Sequence, residues 1–194
     1  FYNMKNSKIC IIGNGLSGLT LAIVLKKPNI DIDLYYSDTA LKNFHDKRTT
    51  AISYSNYNFL IQAIGKSKSN LFWPNKKINL FFEHAGKYNN FLNLSDKKNL
   101  LYIFENSKLK SLLTKLLKEK KFNFINKNIK KIDDLNKEYD LKILCLGNNS
   151  TLYETLTNNR SISKDYKEIS ITGYVKHNEN YTNVKQYFLD EGPF

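Results

Sequence analysis

Cysteine and histidine are scarce: two and three residues in a chain of 194. Cys10 and Cys145 each lie inside a short apolar run that reads as a buried strand, so no disulfide framework is implied and a reducing cytoplasm is the expected compartment. His45, His84 and His177 stand far apart without ligand-like spacing, which argues against a metal site. Long apolar runs are missing too. The best candidate, "CIIGNGLSGLTLAIVL" from Cys10 to Leu25, is broken by Gly13, Asn14, Gly15, Ser17 and Gly18 and closed by Lys26, Lys27 and Pro28. It falls short of the ~20 apolar residues that a membrane span needs. The glycines also set it apart from a signal peptide, which "MKNSKICIIG" imitates only in its basic start and apolar middle. Acidic residues number 18 against 30 Lys and Arg, a formal charge of +12. Such an excess fits nucleic acid or an anionic membrane surface. The lysines are spread along the whole length, with no helix-turn-helix, zinc-finger or RNP-type pattern, so no nucleic-acid partner is expected; attraction to acidic lipid headgroups stays open.

The composition is otherwise that of a folded protein, 41% hydrophobic and 13% aromatic, enough for one sizeable core. "KICII" reads as a compact buried strand, "LTLAIVLKK" as a helix, and "DIDLYYS" as a second strand rich in β-branched and aromatic residues. Between the first strand and the helix, Gly13-Asn14-Gly15-Leu16-Ser17-Gly18 matches G-x-G-x-x-G, in the strand–turn–helix setting that gives this motif its meaning. Gly13 permits the tight turn, Gly15 lets a pyrophosphate approach the backbone, and Gly18 allows close helix-to-strand packing. The helix N-terminus then faces the phosphates. The acidic residue expected to bind the adenosine ribose should close the second strand near position 36, which is Tyr36. Asp38, two residues later, is assigned that role, with a solvated loop aspartate as the alternative; Asp33 is read as projecting from the strand before its end.

Further on, Ser53 or Ser55 is predicted to cap a helix running to about Ile64, with Phe59, Leu60 and Ala63 on its apolar face. "INLFFEH" (78–84) and "LLYIFE" (100–105) read as strands separated by a polar stretch, 85–99. In "NSKLKSLLTKLLKEKK", Leu109, Leu112, Leu113, Leu116 and Leu117 recur at helical spacing, with lysines largely on the other face. "FNFIN" is a strand, and "YDLKILCLG" ends in one that repeats the character of "SKICIIG", which predicts neighbours in one parallel sheet sharing a ligand crevice at their carboxyl ends. From about Glu168, "EISITGYVKHNEN" and "VKQYFLDEG" read as long alternating strands in an antiparallel meander. A natural start at Met4 and a stop directly after a strand-like run mark the chain as the expected N-terminal part of a longer protein.

In this order the segments resemble the class A flavoprotein monooxygenases, and within them the ubiquinone-biosynthesis hydroxylases of the 2-octaprenyl-6-methoxyphenol hydroxylase type. "IIGNGLSGLTLA" resembles the first FAD fingerprint, and "DKRTTAIS" the D-x-R-x-x-A-[IL]-S segment. "YIFENSKLKSLL" resembles the family's strand and leucine-rich helix, "YDLKILCLGNNST" its [LI]-x-x-A-D-G-x-x-S motif, and "YFLDEGPF" its F-x-x-x-G-P stretch. The resemblance assigns Gly13, Gly15 and Gly18 to the FAD pyrophosphate, Arg48 to the cofactor, Gly147 and Ser150 to the central motif, and Gly192 and Pro193 to the active-site loop. It implies an α/β fold: a Rossmann-like domain around a parallel central sheet, residues 1–84 and 100–160, with 85–99 and 165–194 beginning an antiparallel-sheet substrate domain. It implies FAD, reduced by NAD(P)H, inserting one oxygen of O2 into a polyprenylated phenol, with no nucleophile from the protein and hence no assigned catalytic residue. A quinone-precursor substrate, peripheral contact with the inner membrane and membership of a ubiquinone-biosynthesis complex go with it. The family's ribose-binding Glu falls on Tyr36, its central Asp on Leu146, and its second FAD motif, Gly-Asp followed by His-Pro, beyond Phe194. Two other readings are a flavin- or NAD-dependent oxidoreductase without oxygen insertion and a degenerate nucleotide-binding homologue without turnover.

Overall fold

The computed structural model describes residues 6–37, 46, 48–120, 122–135, 138–147, 152, 167, 169, 171, 173–178, 183–189 and 192–193. The chain divides into two compact units, Phe1–Asp46 with Ser107–Ile171 and Lys47–Asn106 with Thr172–Phe194. Both are discontinuous. The expected first boundary at 84 differs from this division, which assigns residues 47–84 and 100–106 to the second unit.

In the first unit, β1 (Ser7–Ile12), α1 (Leu16–Leu25) and β2 (Ile30–Tyr36) form the predicted βαβ unit. A parallel four-stranded sheet is completed by β8 (Asn123–Asn126) beside β2 and β9 (Leu141–Leu144) beside β1, in the order β8-β2-β1-β9. The predicted neighbourhood of the two glycine-ended strands is therefore present. Side chains alternate across a strand, so β1 feeds two cores. Cys10 and Ile12, with Tyr35 of β2, join Ile129, Leu135 and Leu152 in a buried cluster on one face. Ile9 and Ile11, level with Ile32 and Leu34, are buried on the other, against which α1 packs its Leu19, Ala22 and Ile23. α3 (Asn106–Glu119) buries Leu109, Leu113 and Leu117, each contributing about 1.5–3 kcal/mol of apolar burial. Lys108, Lys115 and Lys118 lie on its exposed side.

The second unit holds two sheets. β3 (Thr49–Ser53), β7 (Leu101–Glu105) and β4 (Trp73–Asn75) pair antiparallel in the order β3-β7-β4. On it lies α2 (Tyr54–Ile64), whose Tyr57 stacks on Tyr102 at 3.6 Å between ring centroids and meets Phe72 edge-on. Of the two candidate caps, Ser53 is the N-cap, its hydroxyl accepting from the Asn56 amide at 3.3 Å. Phe59 is 52% exposed, contrary to expectation, and the buried positions are Ile61 and Ile64.

The other sheet has the order β11-β10-β5-β6. β5 (Lys77–His84) and β6 (Lys87–Ser95) form a hairpin whose two turn residues, Ala85 and Gly86, both have positive φ, as a type I′ turn requires. The polar stretch 85–99 thus contains a strand. β10 (Asn183–Leu189) pairs parallel with β5, and β11 (Gly192–Pro193) antiparallel with β10. This corrects the expected meander: β10 reaches β5 after a long excursion through α3, β8 and β9, and such a connection permits the parallel direction that a hairpin forbids. Residues 173–178, expected in a strand, are not in one.

Candidate functional site

The parallel strands β1 and β9 end side by side, and Gly13 and Gly15 follow the first while Cys145 and Gly147 follow the second. The Gly13 amide donates to the Tyr35 carbonyl at 2.9 Å and the Cys145 amide to the Ile12 carbonyl at 2.8 Å, so the ladder continues one residue past each strand. Gly13 has φ +116°, and a Cβ there would stand 2.2 Å from the Cys145 carbonyl oxygen. A Cβ on Gly18 would stand 2.0 Å from the Gly13 carbonyl oxygen and 3.3 Å from the Cys145 Cβ. Both glycines are thus demanded by the protein's own packing.

Gly15 is different. It is the N-cap of α1 in ordinary extended backbone, φ −71° and ψ 177°, and a Cβ on it would meet nothing within 4 Å. No side chain caps α1 and no acidic residue occupies its first turn. Amides of a helix's first turn have no intrahelical partner, and the helix dipole makes that end partly positive. Space beside a backbone with outward amides is the chemistry of a phosphate cradle. Gly147, three residues beyond β9, is exposed and likewise has open space at its Cβ position. Gly13, Gly15, Gly18 and Gly147 therefore gather at one end of the parallel sheet.

The positions where acidic residues were sought have other surroundings. Tyr36 ends β2 with its ring edge-on to Phe124 at 6.2 Å. Leu146 packs against the apolar cluster of Cys10, Ile12 and Tyr35. Asp38 and Ser150 lie outside the described residues. Asp33 accepts from the Asn123 side-chain amide and, at 2.6 Å, from the Tyr139 hydroxyl, which lies 2.9 Å from the Tyr35 hydroxyl. This polar chain within the sheet was not legible beforehand, because Tyr139 and Asp33 are far apart in sequence. Burial, followed by the bonds to Asp33 and Tyr35, pushes the Tyr139 hydroxyl above its ordinary pKa. Burial together with Asp33 pushes the Cys10 thiol up to about 11. Burial also raises the Cys145 thiol. Both cysteines are free thiols, and these shifts suit packing rather than nucleophilic chemistry.

Arg48 belongs to the second unit, exposed, immediately before β3. Its carbonyl accepts from the Asn106 amide at 3.0 Å, and the Thr50 hydroxyl donates to the Asn106 side chain at 2.6 Å, which ties the start of β3 to the β7–α3 junction. Gly192 and Pro193 form β11, opposite Leu189 and Phe188. On the same sheet the exposed rings of Phe82, Phe91 and Phe188 form an open apolar surface patch. Among the described residues no group of His, Cys, Asp or Glu is placed to hold a metal ion, and no helix is long and apolar enough to cross a membrane.

No family of known sequences matches the chain, and no curated protein does. Solved structures do match. The tetrameric form of 2-methyl-3-hydroxypyridine-5-carboxylic acid oxygenase superposes with a TM-score of 0.70 at 17% identity, over 96% of this chain and 53% of the other. CtdE, solved in complex with FAD and a substrate, gives 0.57 at 16% identity over 71% of this chain and 37% of that one. FqzB gives 0.55 at 14% identity over 76% and 37%. The chain thus spans about half the length of the first and less of the others. At these identities the likeness is one of fold: the α/β architecture of a parallel sheet followed by antiparallel pairings is shared with an oxygenase and with an FAD-binding protein.

Proposed function

We propose that the chain is part of an FAD-dependent aromatic-ring hydroxylase that acts on a polyprenylated phenol in ubiquinone biosynthesis. The observation that carries the proposal is Gly15, the one glycine of the turn that the protein's own packing does not require and that leaves open space at a helix N-terminus. The residues present fit a dinucleotide's pyrophosphate there: Gly15 and the first-turn amides of α1 would hold the phosphates, with Gly147 at the same end of the sheet. When bound, FAD would supply the redox chemistry, with NAD(P)H as reductant and O2 as the source of the oxygen inserted in the ring, the second oxygen leaving as water. The protein binds, orients and excludes water. Gly192 and Pro193 are assigned to the loop beside the substrate. The exposed apolar patch of Phe82, Phe91 and Phe188 supports an apolar substrate, and the +12 charge supports peripheral contact with an anionic membrane.

The test is turnover of the whole protein with FAD, NAD(P)H, a polyprenylated phenol and isotopically labelled O2. The proposal expects one labelled oxygen in the phenol. Hydride-linked turnover with no label incorporated would sink it and leave an oxidoreductase without oxygen insertion.

A second reading, a nucleotide-binding homologue without turnover, is favoured by Leu146, which packs into the apolar cluster where the resembling family carries a carboxylate implicated in FAD and NAD(P)H binding. FAD binding without NAD(P)H or O2 consumption would establish it.

A further inference from the structure

The glycine turn is shaped by a residue far from it in sequence. The Cys145 amide is held to the Ile12 carbonyl at 2.8 Å, which fixes the chain beyond β9 against the end of β1. From there Cys145 supplies the three nearest atoms to a Cβ position on Gly13: its carbonyl oxygen at 2.2 Å, its carbonyl carbon at 2.9 Å and its Cβ at 3.6 Å. The same Cβ is the nearest side-chain atom to that position on Gly18, at 3.3 Å. Cys145 therefore lies close to the first and third glycines at once, within the space that a methyl group on either would need. We infer that Cys145 is a positioning residue for the nucleotide turn: its small side chain lets α1 begin close against β1 and β9, with the first-turn amides aimed at the phosphates. This rests on the nucleotide-binding reading above and adds to it a residue outside the glycine motif.

Size is the property that matters. The Cys145 side chain is half-buried, and the wall nearest its Cβ is the glycine backbone of the turn. Cysteine fills one staggered position on its Cβ, alanine none and valine two. A second γ-atom on that Cβ crowds the glycine turn.

The test compares Cys145→Ala and Cys145→Val in the whole protein by two readouts, amide hydrogen exchange across residues 13–19 without nucleotide and FAD affinity by fluorescence titration. Cys145→Ala is expected to match wild type in both. Cys145→Val is expected to speed exchange in 13–19 and weaken FAD binding, each about tenfold. Ile129→Ala, which thins the apolar cluster away from the turn, serves as the packing control and should leave FAD affinity within about twofold despite its loss of stability. The inference is overturned if Cys145→Val leaves exchange at 13–19 unchanged, if Cys145→Ala alone weakens FAD binding, or if Ile129→Ala weakens it as much as Cys145→Val. A wild-type protein that binds no FAD, with the exchange difference intact, would instead refute the nucleotide reading and leave the positioning role standing.

Discussion

At Gly18 a single added methyl group would stand 2.0 Å from the Gly13 carbonyl oxygen, a backbone atom that cannot swing aside. Gly18→Ala is therefore expected to lower stability by about 2 kcal/mol or more, measured by denaturant unfolding. Gly15→Ala has room for its methyl and should stay within about 1 kcal/mol of wild type, the cost of alanine at an N-cap. The Asp33–Tyr139–Tyr35 chain makes a different prediction. Tyr139 has a folded pKa above its ordinary value of 10.0, so the folded state holds that proton more tightly than the unfolded state does. Its contribution is complete below pH 10 and is lost as the pH rises above it. Tyr139→Phe should cost about 1–3 kcal/mol at neutral pH and reduce the alkaline loss of stability. An alkaline limb unchanged by Tyr139→Phe would contradict that assignment. At this scale the three glycines were legible because strand, turn and helix occur in one local run. Cys145 and Tyr139 were not, because each acts on residues more than a hundred positions away.

Among the elements, β1, α1, β2 and α3 were legible because each carries a dense apolar run or stripe that is buried, and β9 because its apolar run resembles β1, although none of its four residues is fully buried. β6 was not: all nine residues from Lys87 to Ser95 are exposed at a sheet edge, so no burial imposes an apolar alternation. β3 was hidden because Thr49–Ser53 leads straight into the cap of α2, and β4 because three residues show no period. The direction of β10 depends on its connection rather than its composition. The caps and stripes make firmer predictions. Ser53→Ala removes the acceptor for the Asn56 amide and should cost about 1 kcal/mol. Leu113→Ala, at a fully buried position of α3, should cost about 2–5 kcal/mol, whereas Lys115→Ala, whose 4.0 Å pairing with Glu119 is solvent-exposed, should change stability by less than about 0.5 kcal/mol. Thermal or denaturant unfolding of the three variants orders them.

For the molecule as a whole, the parallel sheet with its glycine turn and the mixed sheet with its patch of exposed phenylalanines fall in separate units, and the candidate residues divide between them. Gly13, Gly15, Gly18 and Gly147 stand together in the first, and Arg48, Gly192 and Pro193 belong to the second. The fold class was legible, since order and period of the elements survive in a chain only 17% identical to a structure that superposes on 96% of it. The central claim is that the open space beside Gly15 is a place for a dinucleotide. It is tested most directly by titrating the whole protein with FAD, wild type against Gly15→Val, while following flavin fluorescence. The account predicts saturable binding by wild type and a loss of about tenfold or more in the variant, with the folded state retained by circular dichroism. Equal FAD binding by wild type and a folded Gly15→Val would contradict it.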